Sequence, residues 1–244
     1  MNYDTLNHID KLLGKIATIA MLIPIIIAFV KYLYLNKALK IMLWFCLMRF
    51  LVSLINVFII WLVNSYKLFF EPILNKLDIH NMNFISILAF LNNFGFLGWY
   101  FYIVINKSKY ADIVRILSIF LFTTALVNYF FIEGYKIPSI YNSTMSSIFC
   151  FTLPLIHLWF IFNENTKVLI NKNPYFWLAL GLFIPNLLIF IFALAGKKMN
   201  LTDNLLYLKV DIVSSIVQII GFILVAIGFY YAHYTKYLPQ QSRS

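Results

Sequence analysis

Charge is scarce in this chain: 11% of its 244 residues are charged and 62% are hydrophobic, where a soluble domain carries about 25% charged residues. With a mean hydropathy of +0.84 there is too little polar surface to clothe a water-soluble fold, so the medium to expect is lipid. Glycine and proline are also few, 8 and 7 residues, and no motif recurs, which argues against linkers, low-complexity segments and solenoid repeats. The two cysteines, Cys46 and Cys150, fall inside long apolar runs. A disulfide tying external loops cannot form there, and both read as small packing residues.

Catalytic signatures are missing as well. There is no His-Glu-x-x-His, paired-Cys, Gly-x-Ser-x-Gly or phosphate-cradling glycine pattern, and His8, His80, His157 and His233 are widely separated. No enzyme activity, metal or cofactor is expected. An intramembrane hydrolase could draw on Ser215, His157 and Asp211, but His157 reads as lying in the opposite half of the bilayer from the other two. A net charge of +10 would suggest nucleic acid for a soluble protein; here the basic residues sit in short loops beside apolar runs, and topology explains them.

What fills the chain is seven apolar runs of about twenty residues, the length a helix needs to cross ~30 Å of hydrocarbon. They are placed near residues 16–35, 41–63, 84–105, 113–132, 139–162, 174–196 and 207–232. The alternation of a membrane barrel is absent, so the fold class is all-α: one polytopic bundle over residues 1–244. Met1 to Lys15 carries Asp4 and Asp10 without a small-residue cleavage pattern and reads as a retained tail. Asn173 can cap the sixth helix with Pro174 at its first position.

Basic residues set the orientation. The side holding the N-terminus and the loops after spans two, four and six carries eight basic and seven acidic residues, and the other side ten and two. The positive-inside rule then puts the N-terminus outside and the C-terminus in the cytoplasm, in the inner membrane of a bacterium. In the longest external loop, Ser65 to Asn83, the residues Phe69, Phe70, Ile73, Leu74 and Leu77 share helical spacing opposite Lys67, Glu71, Asn75 and Asp78. This predicts a short interfacial helix with Pro72 near its start, or a loop packed on the bundle.

Polar side chains inside the spans are costly unless they face helices or water, so they carry the functional signal. Asn56, Asn92, Asn93, Asn128, Asn186, Asp211, Ser215 and Gln218 come out at comparable depth, in the external half or near the midplane. They predict an externally open ligand pocket. Interhelical hydrogen bonding, worth about 0.6 kcal/mol per contact, is the competing use. Arg49 and His157 fall in the inner half. A guanidinium stays charged and needs a partner. An anion, a lipid headgroup or a partner-switching role would supply one, as would snorkelling to the headgroups. Pro24, Pro154 and Pro185 can each free a carbonyl within a span.

Seven spans with an external N-terminus match rhodopsins and G-protein-coupled receptors in topology alone: Gln218 to Gly221 stand where a retinal lysine would be, and Phe229-Tyr230-Tyr231-Ala232 where Asn-Pro-x-x-Tyr would be. Asn173-Pro174-Tyr175-Phe176-Trp177 with Gly181, and the stretch from Asp211 to Gly228, resemble small uncharacterised bacterial seven-helix membrane proteins often encoded near two-component regulators. The resemblance implies the same topology and a signalling context. A non-enzymatic receptor-like sensor or relay is therefore expected, with a signalling or membrane protein partner at the cytoplasmic face. A transporter or lipid-handling protein, and a structural subunit of a membrane complex, stand as alternatives.

Overall fold

The computed structural model describes residues 3–76, 83–105, 108–134, 139–163, 169–199 and 204–238. All regular structure among them is helical: α1 (Tyr3–Ala20), α2 (Leu22–Val30), α3 (Lys37–Ser65), α4 (Lys67–Lys76), α5 (Asn83–Asn92), α6 (Gly98–Val104), α7 (Ser108–Val127), α8 (Ile140–Asn163), α9 (Pro174–Met199) and α10 (Asn204–Tyr230). Seven helical stretches of the described residues are long and apolar enough to cross a membrane. They make this a helical membrane protein.

Local chemistry explains the boundaries. The first stretch runs Tyr3–Val30, not 16–35. Its charged first turns fail a hydropathy reading, yet Leu6, Ala17 and Ala20 are buried, on a helix packed against α10. It is interrupted at Met21, because Pro24 has no N–H for the Ala20 carbonyl. The second helix starts earlier than expected: Asn36 caps α3 by accepting from the Leu39 N–H at 3.1 Å. The expected cap of α9 forms, Asn173 accepting from the Tyr175 N–H at 3.0 Å. The short helix expected in the longest loop is present as α4, with Pro72 inside it rather than near its start. Leu68 and Phe69 are exposed there, whereas Leu77 and Asp78 lie outside the described residues.

The third and fourth crossings each carry an irregular turn. Asn93–Leu97 and Asn128–Ile132 form π-helical turns, which insert a residue and rotate the face that follows. Packing order around the bundle is α1/α2, α10, α9, α8, then the third crossing (α5, its π turn and α6), then α3 and back to α2, with α7 against the third crossing. Tyr100, Phe94, Phe101, Phe229, Leu39 and Met42 fill the centre. The outward sides of α3, α7 and α10 present Leu51, Phe58, Trp61, Ile116, Phe120 and Ile220, as an acyl-chain solvent requires.

Candidate functional site

Most of the asparagines read from the sequence are bonded from helix to helix or to their own chain. The Asn92 amide donates to the Phe45 carbonyl at 3.2 Å, and Asn93 donates to the Ser146 hydroxyl at 2.8 Å. Asn128 donates to a Glu133 carboxylate oxygen at 2.6 Å and to Ser139 at 3.0 Å. Glu133 in turn accepts from Ser139 and from the Tyr141 N–H, so one carboxylate ties the end of the fourth crossing to α8. Asn142, missed in the sequence because it sits near a span end, is fully buried and donates to the Ala125 carbonyl at 3.2 Å. Asn56 is half-buried with its amide oxygen unpartnered among the described residues. Asp211 and Ser215 are half-buried on α10.

A different set meets in the middle of the bundle. Arg49 of α3, Asn186 of α9 and Gln218 of α10 line one cavity together with Met21, Pro24, Cys46, Pro185 and Phe222. Arg49 follows Lys37 by three turns, Asn186 follows Pro174 by the same distance, and Gln218 precedes Tyr230 by it, so each lies roughly 18 Å from one common end. The early start of α3 carries Arg49 about one turn deeper than a helix beginning at Ile41 would. That shift brings it level with Asn186 and Gln218, which the sequence placed in the external half or near the midplane.

The Arg49 guanidinium stands 5.5 Å from the centroid of the Phe222 ring, and the thiols of Cys46 and Cys150 lie within its electrostatic reach. Among the described residues no carboxylate forms an ion pair with Arg49 and no acceptor hydrogen-bonds it. Asn186 donates to the Leu182 carbonyl at 2.6 Å, within its own helix. The cavity measures about 20 Å³, room for about one water. It touches neither Asp211 nor Asn56.

Beside the cavity the α9 and α10 backbones are in contact. A Cβ on Gly181 would stand 2.7 Å from the Gly221 carbonyl oxygen, and one on Gly221 would stand 2.5 Å from the Pro185 ring and 2.7 Å from the Gly181 oxygen. Gly181 is also the residue whose carbonyl Pro185 leaves without its helical donor. Gly228 lies equally close to Leu178 and the Pro174 carbonyl. Small residues at these points are what let the two helices approach.

His157 is not part of the Arg49 cavity. It is buried edge-on to Phe101 and Tyr175, with centroids 5.9 and 6.2 Å away, and neither ring nitrogen has a hydrogen-bond partner among the described residues. Tyr175 itself is fixed by Asn36, whose amide donates to its hydroxyl at 2.6 Å. The hydrolase set of Ser215, His157 and Asp211 is not brought together around any cavity described above. No group of three or more His, Cys, Asp or Glu suited to a metal occurs among the described residues. Comparison with protein-family models, with curated proteins and with solved structures gives no match.

Proposed function

We propose that the protein is a non-enzymatic, receptor-like sensor or signal relay of a bacterial cytoplasmic membrane, and that its ligand presents a small anionic group to Arg49. The reading rests on one observation: a permanent cation sits roughly 18 Å into the bundle without a carboxylate or hydrogen-bond acceptor among the described residues. A charge in hydrocarbon is kept where it has a counter-ion to meet. Asn186 and Gln218 line the same cavity and supply neutral donors beside the guanidinium. The cavity holds about one water, so an arriving carboxylate or phosphate has to widen it. The walls that yield are Pro185 of α9 and Gly221 of α10, beside the point where the Gly181 and Gly221 backbones touch with no side chain between them to compress.

Ligand binding is thereby coupled to the relative position of α9 and α10. Both helices reach the end that carries Lys172 and Lys236. By the basic bias of its loops that end is cytoplasmic, with the N-terminus outside, and a protein partner there receives the change. A reporter fused to the C-terminus and active only in the cytoplasm checks the orientation.

Hydrogen–deuterium exchange on the purified protein in lipid nanodiscs tests the relay, with acetate, inorganic phosphate and chloride added in turn. At least one anion is expected to change exchange along α9 and α10, including their ends beyond Leu178 and Gly228. Exchange that stays the same with all three would favour the second reading, a structural subunit, which the asparagines bonded from helix to helix support.

A further inference from the structure

The outer surface carries two grooves at the end of the bundle where α3 begins, and they share Trp99. One, about 320 Å³, lies between the third crossing and α7, and its single cation is Arg115. That charge is already committed: Arg115 stands 3.7 Å from the Asp112 carboxylate and 5.6 Å from the centroid of the Tyr102 ring. The other groove, about 600 Å³, is lined by Lys37, Lys40, Ile41, Trp44, Phe96 and Trp99. Its two ammonium groups have no carboxylate in the lining.

We infer that this second groove binds an anionic phospholipid, with the phosphate between Lys37 and Lys40 and an acyl chain along Ile41, Trp44, Phe96 and Trp99. Both lysines are exposed, and the Lys40 ammonium is steadied 5.0 Å from the centroid of the Tyr32 ring, so the positive charge is held at the mouth rather than swung away. Below it the walls are apolar and half open to the membrane, Trp44 being 57% and Trp99 49% exposed. From Lys37 to Trp44 the groove follows roughly 10 Å of helix, going from charged to aromatic. The occupant must therefore be negative at one end and hydrocarbon at the other. Free phosphate would leave the trough uncovered, and a zwitterionic headgroup would bring its own cation to the lysines. The groove is separate from the Arg49 cavity and stands whether or not the sensor reading does.

Native mass spectrometry of the detergent-purified protein, equilibrated with equal amounts of phosphatidylglycerol and phosphatidylcholine, tests the assignment. The wild type is expected to retain one phosphatidylglycerol in clear preference to phosphatidylcholine. K37Q/K40Q should lower that preference about tenfold or more, while K37R/K40R keeps it because the charge remains. W44A/W99A should weaken retention of both lipids and leave the headgroup preference unchanged, as expected if the tryptophans hold the chain. Circular dichroism confirms that each variant is folded, and the substituted lysines are on the surface. The inference is overturned if the wild type retains both lipids equally or neither, if K37Q/K40Q leaves the preference intact, or if inorganic phosphate at lipid concentration displaces the phosphatidylglycerol.

Discussion

Where α9 meets α10, Gly181, Gly221 and Gly228 let two backbones touch; where the third crossing meets α3 and α8, side chains of Asn92, Asn93 and Ser146 make hydrogen bonds from one helix to the next. Both joints answer the same problem. Lipid gives apolar helices no hydrophobic reason to associate, so contact density or hydrogen bonding must hold them. The glycine joint has no slack, and displacing it moves a helix as a body. The asparagine joint can be loosened one bond at a time. The Arg49 cavity lies against the first kind of joint, where a local event carries furthest.

Four substitutions sharpen the contrast. The largest effect is expected for G221A, whose Cβ meets the Pro185 ring and the Gly181 carbonyl, neither of which can turn away. Unfolding in mixed SDS micelles should show a loss of about 2–3 kcal/mol, despite the gain of about 1 kcal/mol that alanine brings to a helix. Next comes G98A, which drives a Cβ into Ser118; it should cost about 1–2 kcal/mol, and S118G in the same chain should restore most of it, a coupling read from the double-mutant cycle. N92L removes the donor to the Phe45 carbonyl and should cost about 0.6 kcal/mol in the same titration. G95A is the smallest and has the opposite sign: nothing approaches closer than 3.7 Å to its Cβ, so a stabilisation of up to about 1 kcal/mol is expected. If N92L proves as damaging as G221A, the two joints do not differ in kind.

The seven helices could be read from hydropathy because lipid imposes one rule on each span and the rule is local. The first helix shows where that rule ends. Asp4, Asp10, Lys11 and Lys15 keep residues 3–15 out of any apolar window, yet the stretch is helical and Leu6 is buried. Its helicity comes from tertiary packing on α10, which no window contains. The π turns at Asn93 and Asn128 were not legible either, since no local motif in the sequence marks them.

Of the candidate site, Arg49 could be picked out by its charge alone, and Asn186 and Gln218 by polarity at depth. Their meeting could not. It depends on the Asn36 cap that lowers Arg49 by about one turn, and on α2 and α3 being neighbours in a ring that also brings α9 and α10 together. His157 was grouped with Arg49 by shared depth, but depth says nothing about azimuth, and the ring turns it toward Phe101 and Tyr175.

The account depends on Arg49 being present for an anion rather than for packing, and thermal unfolding of the wild type and R49Q in nanodiscs, across an acetate and phosphate titration, tests it most directly. The wild type is expected to melt higher as one of the anions is added. R49Q, freed of an unpaired charge in hydrocarbon, should melt at the same temperature or above it without anion and show no response to either. A variant that fails to fold, or a wild type whose melting ignores both anions, would contradict the central claim.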